Sequence, residues 1–507
     1  MTAQGERSGQ GGITWAGTAL RAADLAGAVA ERARRGARFA GLLATGHEDG
    51  SLALRAVLAW PHGAEIVESV LGEDDLAYPA LTPEVPGAAW YEREVRDLFG
   101  VTPLGHPRLD PLVLPLGGEQ PRPRPGTAPW PERVEVSEAP LPGHVSGDGV
   151  FTIPYGPVRS GVFETVQYLV ETPGEEILHL RTRVYHKHRG LAQRFTGLSI
   201  DDGVLLAERV EGTTSVAQAT AFSQAIEALT ATEAPVRAAL VRVLHAELER
   251  VANHLDSMIR HTEGSGQAVA YARLSLHKER VLRLQARLCG HRFGRGVVVP
   301  GGVAGPPQLG PAEALAALAR IERGAASDID LLMDTPSFLD RLRGTGIVPP
   351  EVAAAHGALG PLGRGSGLAE DVRDSRPYGA YARLAVEPAE PHAEGDALAR
   401  QQVRRVEVRQ AFHLARQALD ELAESGDGPW RVPVEVPDGT GLGWAEAPQG
   451  ELLYLVETKG ARLAAVKPRC ASFHNLALFS QAFRGDIFTD FVFIEASFGL
   501  SIAGVSG

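Results

Sequence analysis

Hydrophobic and polar positions alternate with two periods along this chain, and the change of period divides it. Ala19 to Gly36 carries apolar residues at helical spacing and predicts an amphipathic helix. Ser51 to Trp60 and Ala64 to Val70 alternate at period two and predict strands, so the leading 116 residues read as an α/β unit. After residue 150, Tyr168 to Tyr185 predicts a β-hairpin, two apolar-rich runs around a Thr-Pro-Gly-Glu turn. Helical spacing then dominates. Leu244, Leu248, Val251, Leu255 and Met258 step by 4, 3, 4, 3 within Pro235 to Met258 and so share one helix face. Val403 to Ser425 predicts another helix. From about Trp430 short strands return, and Gly439 to Gly443 (GTGLG) reads as a glycine-rich turn with no helix behind it, a weak signal for a nucleotide loop.

Residues 117–149 are dense in proline and glycine, which supply neither N–H donors nor apolar area for regular structure, and read as a linker. The expected division is 1–116, 117–149 and 150–507. The formal net charge is −12 and no long Lys/Arg run occurs, which argues against a nucleic-acid partner. No apolar run is long enough to span a bilayer: Phe491 to Gly507 comes nearest and contains Glu495. The first residues lack the pattern of a signal peptide, so a soluble or peripheral membrane protein is expected. Cys289 and Cys470 cannot by themselves make a four-thiolate metal site and read as reduced structural thiols.

Trp90 to Leu114 (WYEREVRDLFGVTPLGHPRLDPLVL) carries an acid–Arg–acid helix, an Asp-Leu-Phe-Gly turn and then Gly-His-Pro. This ordered series resembles the complex I 30-kDa subunit family. Further on come Ile153-Pro-Tyr-Gly-Pro157, Gly174-Glu-Glu176, His188-Arg-Gly190, Glu208-Arg209 and Glu247-Leu-Glu-Arg250 with His254. Pro300-Gly-Gly-Val303, Gly363-Arg-Gly-Ser-Gly367, Asp371, Arg373, Pro377, Tyr378, Glu446-Ala-Pro-Gln-Gly450 and Arg469 to Leu476 complete the set. In this order the blocks resemble the complex I 49-kDa subunit, whose fold is shared with the nickel–iron hydrogenase large subunit. The last blocks and the fusion look nearest to membrane-bound, formate-hydrogenlyase-type hydrogenases. The resemblance implies an α/β N-terminal domain plus a larger, mainly helical α+β domain of that fold. It implies a core subunit on the cytoplasmic side of a membrane complex. The implied partners are a small iron–sulfur (complex I 20-kDa-like) subunit, a ferredoxin-like subunit and membrane-arm subunits. No cofactor is expected on this chain: iron–sulfur clusters sit in partners, the acceptor the resemblance allows is quinone or another small molecule, and NADH is an upstream donor it also allows.

A nickel–iron centre needs soft thiolates, which the family supplies from two Cys-x-x-Cys pairs. Here Glu211 and Thr214 stand at the first pair, and Ser501 and Gly504 at the second by a looser alignment. Metal is therefore not expected, and neither is hydrogen turnover. Gln449 replaces the arginine that the hydrogenase branch places beside its metals, removing a fixed guanidinium. The quinone-binding histidine and tyrosine of the complex I branch are also replaced, by Arg159 and Leu206. With His188, Arg189, Glu208 and Arg209, these residues are the candidate lining of the vacated cavity. Glu211 carries two readings: a desolvated, protonated carboxyl able to relay protons, or a carboxylate bonded to backbone or paired with Arg209. His186 and His188, at i and i+2, would share a face on a strand at metal-binding spacing; the alternative is structural hydrogen bonding by His188 and Arg189. His245 and Glu249, at i and i+4, read as a solvated pair on a surface helix. An open pocket of roughly 300 Å³ lined by Arg159 and Glu211 would favour an acceptor site, and a packed interior around Leu206, Thr214 and Ser501 a scaffold.

Overall fold

The computed structural model describes residues 13–15, 19–61, 63–115, 145, 147–159 and 164–507. The Pro/Gly-rich stretch expected as a linker lies outside the described residues except for 145 and 147–149. The chain begins with β1 (Ile13–Trp15), α1 (Ala22–Arg34), β2 (Arg38–Gly46), β3 (Leu52–Trp60) and β4 (Gly63–Leu71). These strands form one sheet in the order β1-β4-β3-β2, in which β1 runs parallel to β4 and the other pairs are antiparallel. A short parallel pair, β5 (Ala77–Pro79) and β6 (Thr102–Leu104), brackets α2 (Ala89–Phe99). Gly100 ends α2 in the left-handed region (φ 71°), a conformation that suits glycine.

Strand β3 is buried on both faces, and the period of two divides its side chains between two cores. Leu52, Leu54, Ala56 and Leu58 face a core with Leu25 and Val29 of α1. Val57 and Ala59 face Leu442, Trp444, Leu453 and Leu455 of a second sheet. Arg55 crosses to that second sheet and pairs with Glu457 at 2.5 Å.

The rest of the chain opens with the antiparallel sheet β7 (Phe151–Tyr155), β8 (Gln167–Thr172) and β9 (His179–Arg183), the last two forming the expected hairpin. Then follow α3 (Leu191–Phe195), α4 (Ile200–Ala207), α5 (Ser215–Thr230), α6 (Val236–Gly264) and α7 (Ala268–Cys289). The small ladder β10 (Val298–Val299) with β11 (Gly302–Val303) precedes α8 (Pro311–Met333), α9 (Pro336–Leu342), α10 (Pro350–His356), α11 (Gly360–Arg364), α12 (Val372–Ser375) and α13 (Ala397–Glu424). The antiparallel sheet β12 (Gly439–Ala447), β13 (Gly450–Lys459), β14 (Arg462–Arg469) and the helices α14 (Ala471–Leu476) and α15 (Phe491–Phe498) close the chain. The five apolar positions spaced 4, 3, 4, 3 on α6 are all buried. Among the described residues, no helix is long and apolar enough to cross a membrane.

Two expectations are corrected. Gly439 to Gly443 is no turn but the first half of β12. Its glycines are there because α5 lies directly on the strand. A Cβ on Gly441 or Gly443 would run into the carbonyl oxygen of Ala225 or Ala221. His245 and Glu249 are not solvated: both are buried on α6.

Beneath the helices lies a fully buried set of charges. Arg364 on α11 reaches Glu407 on α13 at 2.7 Å and Glu446 on β12 at 3.3 Å. Arg373 on α12 bonds Asp371 at 2.7 Å and Glu247 on α6 at 3.1 Å. Arg250 on α6 bonds Glu247 at 3.1 Å and donates to the Glu446 carbonyl oxygen at 2.6 Å. His254 meets Glu407 at 2.6 Å, and burial lowers its pKa to about 4, so its imidazole is neutral. Ions this deep are costly unless every one is paired, and removing one partner strands another. Arg364→Met is therefore expected to cost about 3–5 kcal/mol in denaturant unfolding. Gly443→Ala, which forces α5 off β12, should cost about 1–3 kcal/mol. A wild-type midpoint for either variant would refute the packing argument.

Candidate functional site

The loop between α4 and α5 and the last turn of the chain build one closed chamber. Ser199 caps α4, its hydroxyl accepting from the Asp202 N–H at 3.1 Å. After α4 the buried Glu208 accepts from the Gly296 N–H at 2.5 Å, which anchors the loop from below. Arg209 turns outward and lies 3.7 Å from Glu208, while Glu211 is bound by Ser472 instead. The pairing of Glu211 with Arg209 considered from sequence is thus not what the structure shows.

Glu211 is buried, and its carboxylate accepts from the Ser472 hydroxyl at 3.1 Å. The Thr214 hydroxyl and Cys470 thiol also hydrogen-bond to it, and Arg189 is the nearby cation. Burial outweighs these favourable partners and raises the Glu211 pKa to about 7. Gln218, one turn into α5, donates to Thr214 Oγ1 and to Cys470 Sγ, each at 3.4 Å, and accepts from the Tyr454 hydroxyl at 2.7 Å. The Ser501 N–H donates to Ser472 Oγ at 3.1 Å. Gly504 completes the wall, because a Cβ there would stand 2.8 Å from Glu211 Oε2 and 3.2 Å from Cys470 Cβ. All four positions where the cysteine pairs were sought, 211, 214, 501 and 504, therefore meet around one carboxyl group. The donor set holds oxygens and one protonated thiol, whose pKa burial pushes up to about 12. It does not fit a nickel–iron centre, which needs four thiolates. Among the described residues no cluster of three or more His, Cys, Asp or Glu could hold a metal ion.

Arg189 closes the chamber by donating to the carbonyl oxygens of Arg209, Val210 and Ala503, which ties the first loop to the last. His188 packs its ring on Gly507, and burial lowers its pKa. His186 and His188 lie beyond the end of β9, so they do not share a strand face. Gln449 sits on the rim in the β12–β13 turn. Its amide donates to Asn253 Oδ1 at 3.4 Å, and Asn253 in turn donates to the Thr213 carbonyl oxygen at 3.4 Å.

Two candidates lie away from this chamber. Arg159 is bound by Glu495 at 2.6 Å and stacked between the rings of Tyr155 and Tyr168. Leu206 packs half-buried against the helical core from α4. Sequence reasoning missed three participants. Cys470 and Ser472 are 259 and 261 residues from Glu211 and meet it only through the fold. Glu249 reaches across from α6 to accept from the Val216 and Ala217 N–H groups at 2.7 and 3.1 Å. Burial first, then the nearby Glu211 charge, holds its pKa up at about 8.

Next to the chamber is a cleft of about 1230 Å³. His188, Val210, Cys470 and Gly504 form its inner wall, and Ala44, Tyr91 and Leu98 face them from the N-terminal part of the chain. Gly504 and Cys470 line this cleft, whereas Glu211, which lies against both, does not.

Two family matches cover parts of the chain. Residues 26–125 match the respiratory-chain NADH dehydrogenase 30 Kd subunit and residues 265–435 the 49 Kd subunit. Formate hydrogenlyase subunit 5 of Escherichia coli is 28% identical over 470 residues, covering 87% of this chain and 79% of the relative. The membrane-bound hydrogenase subunit alpha of Pyrococcus furiosus is 30% identical over 363 residues, covering 68% of this chain and 84% of the relative. An NADH-quinone oxidoreductase subunit of Roseiflexus sp. is 28% identical over 376 residues, covering 68% of this chain and 89% of the relative.

Because the folded state holds the Glu211 proton more tightly than the unfolded chain, stability falls as pH rises from its ordinary 4.5 through about 7. The full loss is about 3 kcal/mol at most. Glu211→Gln is expected to remove this share of the pH dependence, measured as denaturation midpoints over that window; an unchanged slope would show that Glu211 is already ionised in the folded protein.

Proposed function

This chain belongs to the family that joins the 49-kDa subunit of respiratory-chain NADH dehydrogenase to the membrane-bound hydrogenases, with a 30-kDa-type unit in front of it, and from that premise we propose a core subunit that passes electrons to a quinone rather than to protons. It is a subunit of a membrane-associated respiratory complex. In the proposed arrangement it lies on the cytoplasmic face, peripheral to the membrane. A small iron–sulfur subunit and a ferredoxin-like subunit supply electrons, and membrane-arm subunits anchor the complex. NADH is an upstream donor acting through other subunits.

The observation that carries this reading is the exchange of a thiolate chamber for a single neutral-favouring carboxyl with a large cleft against it. Without thiolates the chamber cannot hold the metals that hydrogen turnover needs. The cleft has room for a quinone ring and the start of its tail, since ligand pockets typically measure about 300–1,000 Å³. Its inner wall offers apolar contact from Val210 and Gly504 and the exposed imidazole of His188. Arg159, held by Glu495, is not part of this cleft wall. A scaffold role is favoured by a different observation: Glu211 and Thr214 are closed in, and Gln218 and Ser472 fill the space around them.

The complex purified from membranes is expected to contain iron without nickel, to reduce quinone from a low-potential donor and to evolve no hydrogen. Iron without nickel and no acceptor turnover would establish the scaffold role. Stoichiometric nickel would overturn the reading of the chamber.

A further inference from the structure

A second cavity, of about 350 Å³, lies along the free edge of β12 and shares no lining residue with the cleft described above. β12 is an outer strand of its sheet, with β13 on one side only. On the other side the Glu446 N–H donates to the Tyr378 hydroxyl at 2.9 Å, and the Glu446 carbonyl oxygen accepts from Arg250 at 2.6 Å. Residues that face outward alternate along an antiparallel strand, so Trp444 and Leu442 turn their N–H and C=O groups to that same edge. Both residues line the cavity and are buried, 4% and 2% exposed. Among the described residues no protein group pairs with these four main-chain groups. The buried indole N–H of Trp444 has no acceptor either. Buried main-chain groups are almost always paired, so this edge calls for a partner that carries both donors and acceptors.

The rest of the lining sets the shape and charge of that partner. Ala228 of α5 and Ala239, Val243 and Ala246 of α6 are small, and Tyr378 and Tyr381 add rings, a surface suited to a flat apolar face. The exposed Ala231, Glu233 and Pro377 also line the cavity, so it opens to solvent. The charges inside it are already paired, Arg242 with Glu227 at 2.6 Å and Glu446 with Arg364 at 3.3 Å. A charged ligand would therefore be desolvated without a counter-charge, and a neutral one is favoured. Leu442 and Trp444 are two residues apart, about 7 Å of strand. That is the width of a ring system and too short for a ladder with a further peptide strand.

We infer that this edge binds a neutral, flat heterocycle with a lactam edge, a ring N–H beside a ring C=O. Such a pair complements the N–H and C=O of one strand residue, and the Trp444 indole N–H is a further donor for a second ring carbonyl. Pyrimidinedione, pteridine and isoalloxazine-type rings all carry this edge. The inference is independent of the acceptor reduction proposed above.

The test uses the intact complex and lumichrome, a fluorescent tricycle with a lactam edge, in its neutral form. Binding is read as saturable quenching of its fluorescence. Two other probes are measured, the second by competition: 3-methyllumichrome, in which a methyl group masks the ring N–H, and phenazine, a tricycle with no lactam. Ala228→Leu fills the cavity and Trp444→Phe removes the indole N–H. Lumichrome is expected to bind wild type, and 3-methyllumichrome and phenazine each at least about tenfold more weakly, the scale of a lost hydrogen bond. Trp444→Phe should weaken lumichrome roughly tenfold for the same reason, and Ala228→Leu should abolish the saturable quenching. The methylated probe needs no variant, so the test holds even where a substitution prevents assembly. No saturable binding of lumichrome to wild type overturns the site. Equal affinity for either control probe overturns the lactam edge, and undiminished binding in both variants places the ligand elsewhere and overturns the site as well.

Discussion

The buried ion network of Arg250, Arg364 and Arg373 with Glu247, Asp371, Glu407 and Glu446 is the constraint on which the remaining structure depends. Its members come from α6, α11, α13, β12 and the segment around α12, so no two of these elements can shift without leaving a buried charge alone. The penalty works as a geometric lock more than as a source of stability. Burial and the neighbouring Asp371 raise the Glu446 pKa to about 7, which lets the cluster approach neutrality without further cations. With α6 held in place, Glu249 is presented to the start of α5. With β12 held in place, its terminal turn brings Gln449 to the rim of the chamber.

The same logic joins the front of the chain to the back. Glu451 on β13 takes Arg38, Arg376 and Arg469, and Lys467 on β14 reaches back to Glu94 on α2 at 2.7 Å. These pairs flank the apolar contact of β3 with the C-terminal sheet. The cleft therefore has walls from both parts of the chain, and its dimensions are set by their docking rather than by either part alone.

Inside the chamber the decisive change is one of chemical softness and charge. Four thiolates around two metals would form a charged, coordinated centre; a carboxyl in the same space is desolvated more than its hydrogen-bond partners and the nearby Arg189 offset, and its pKa rises to about 7. Gly504 and Glu211 are complementary in size, since the carboxyl takes the volume that a side chain at 504 would need. The chamber has thus been refilled by oxygen chemistry, and the sulfur that borders it, Cys470, is held protonated by burial.

Periodicity alone located the long helix α6, the helix α13 and the hairpin of β8 and β9, because each buries one face and the burial is written at the spacing of 3.6 or 2. The absence of the thiolates was equally legible, since a ligand set is a matter of residue type. Local pattern failed where the partner is distant in sequence. The glycines of β12 read as a turn because nothing nearby shows that α5 rests on them. His245 and Glu249 read as solvated because two polar residues on a helix look the same whether water or a buried helix end faces them. Arg159 was expected at the cavity, but Glu495, 336 residues away, captures it. Residue identity determined which chemistry this protein has given up; only tertiary packing decided which groups meet in the vacated space, because a desolvated carboxyl acquires its properties from neighbours that the chain brings together last.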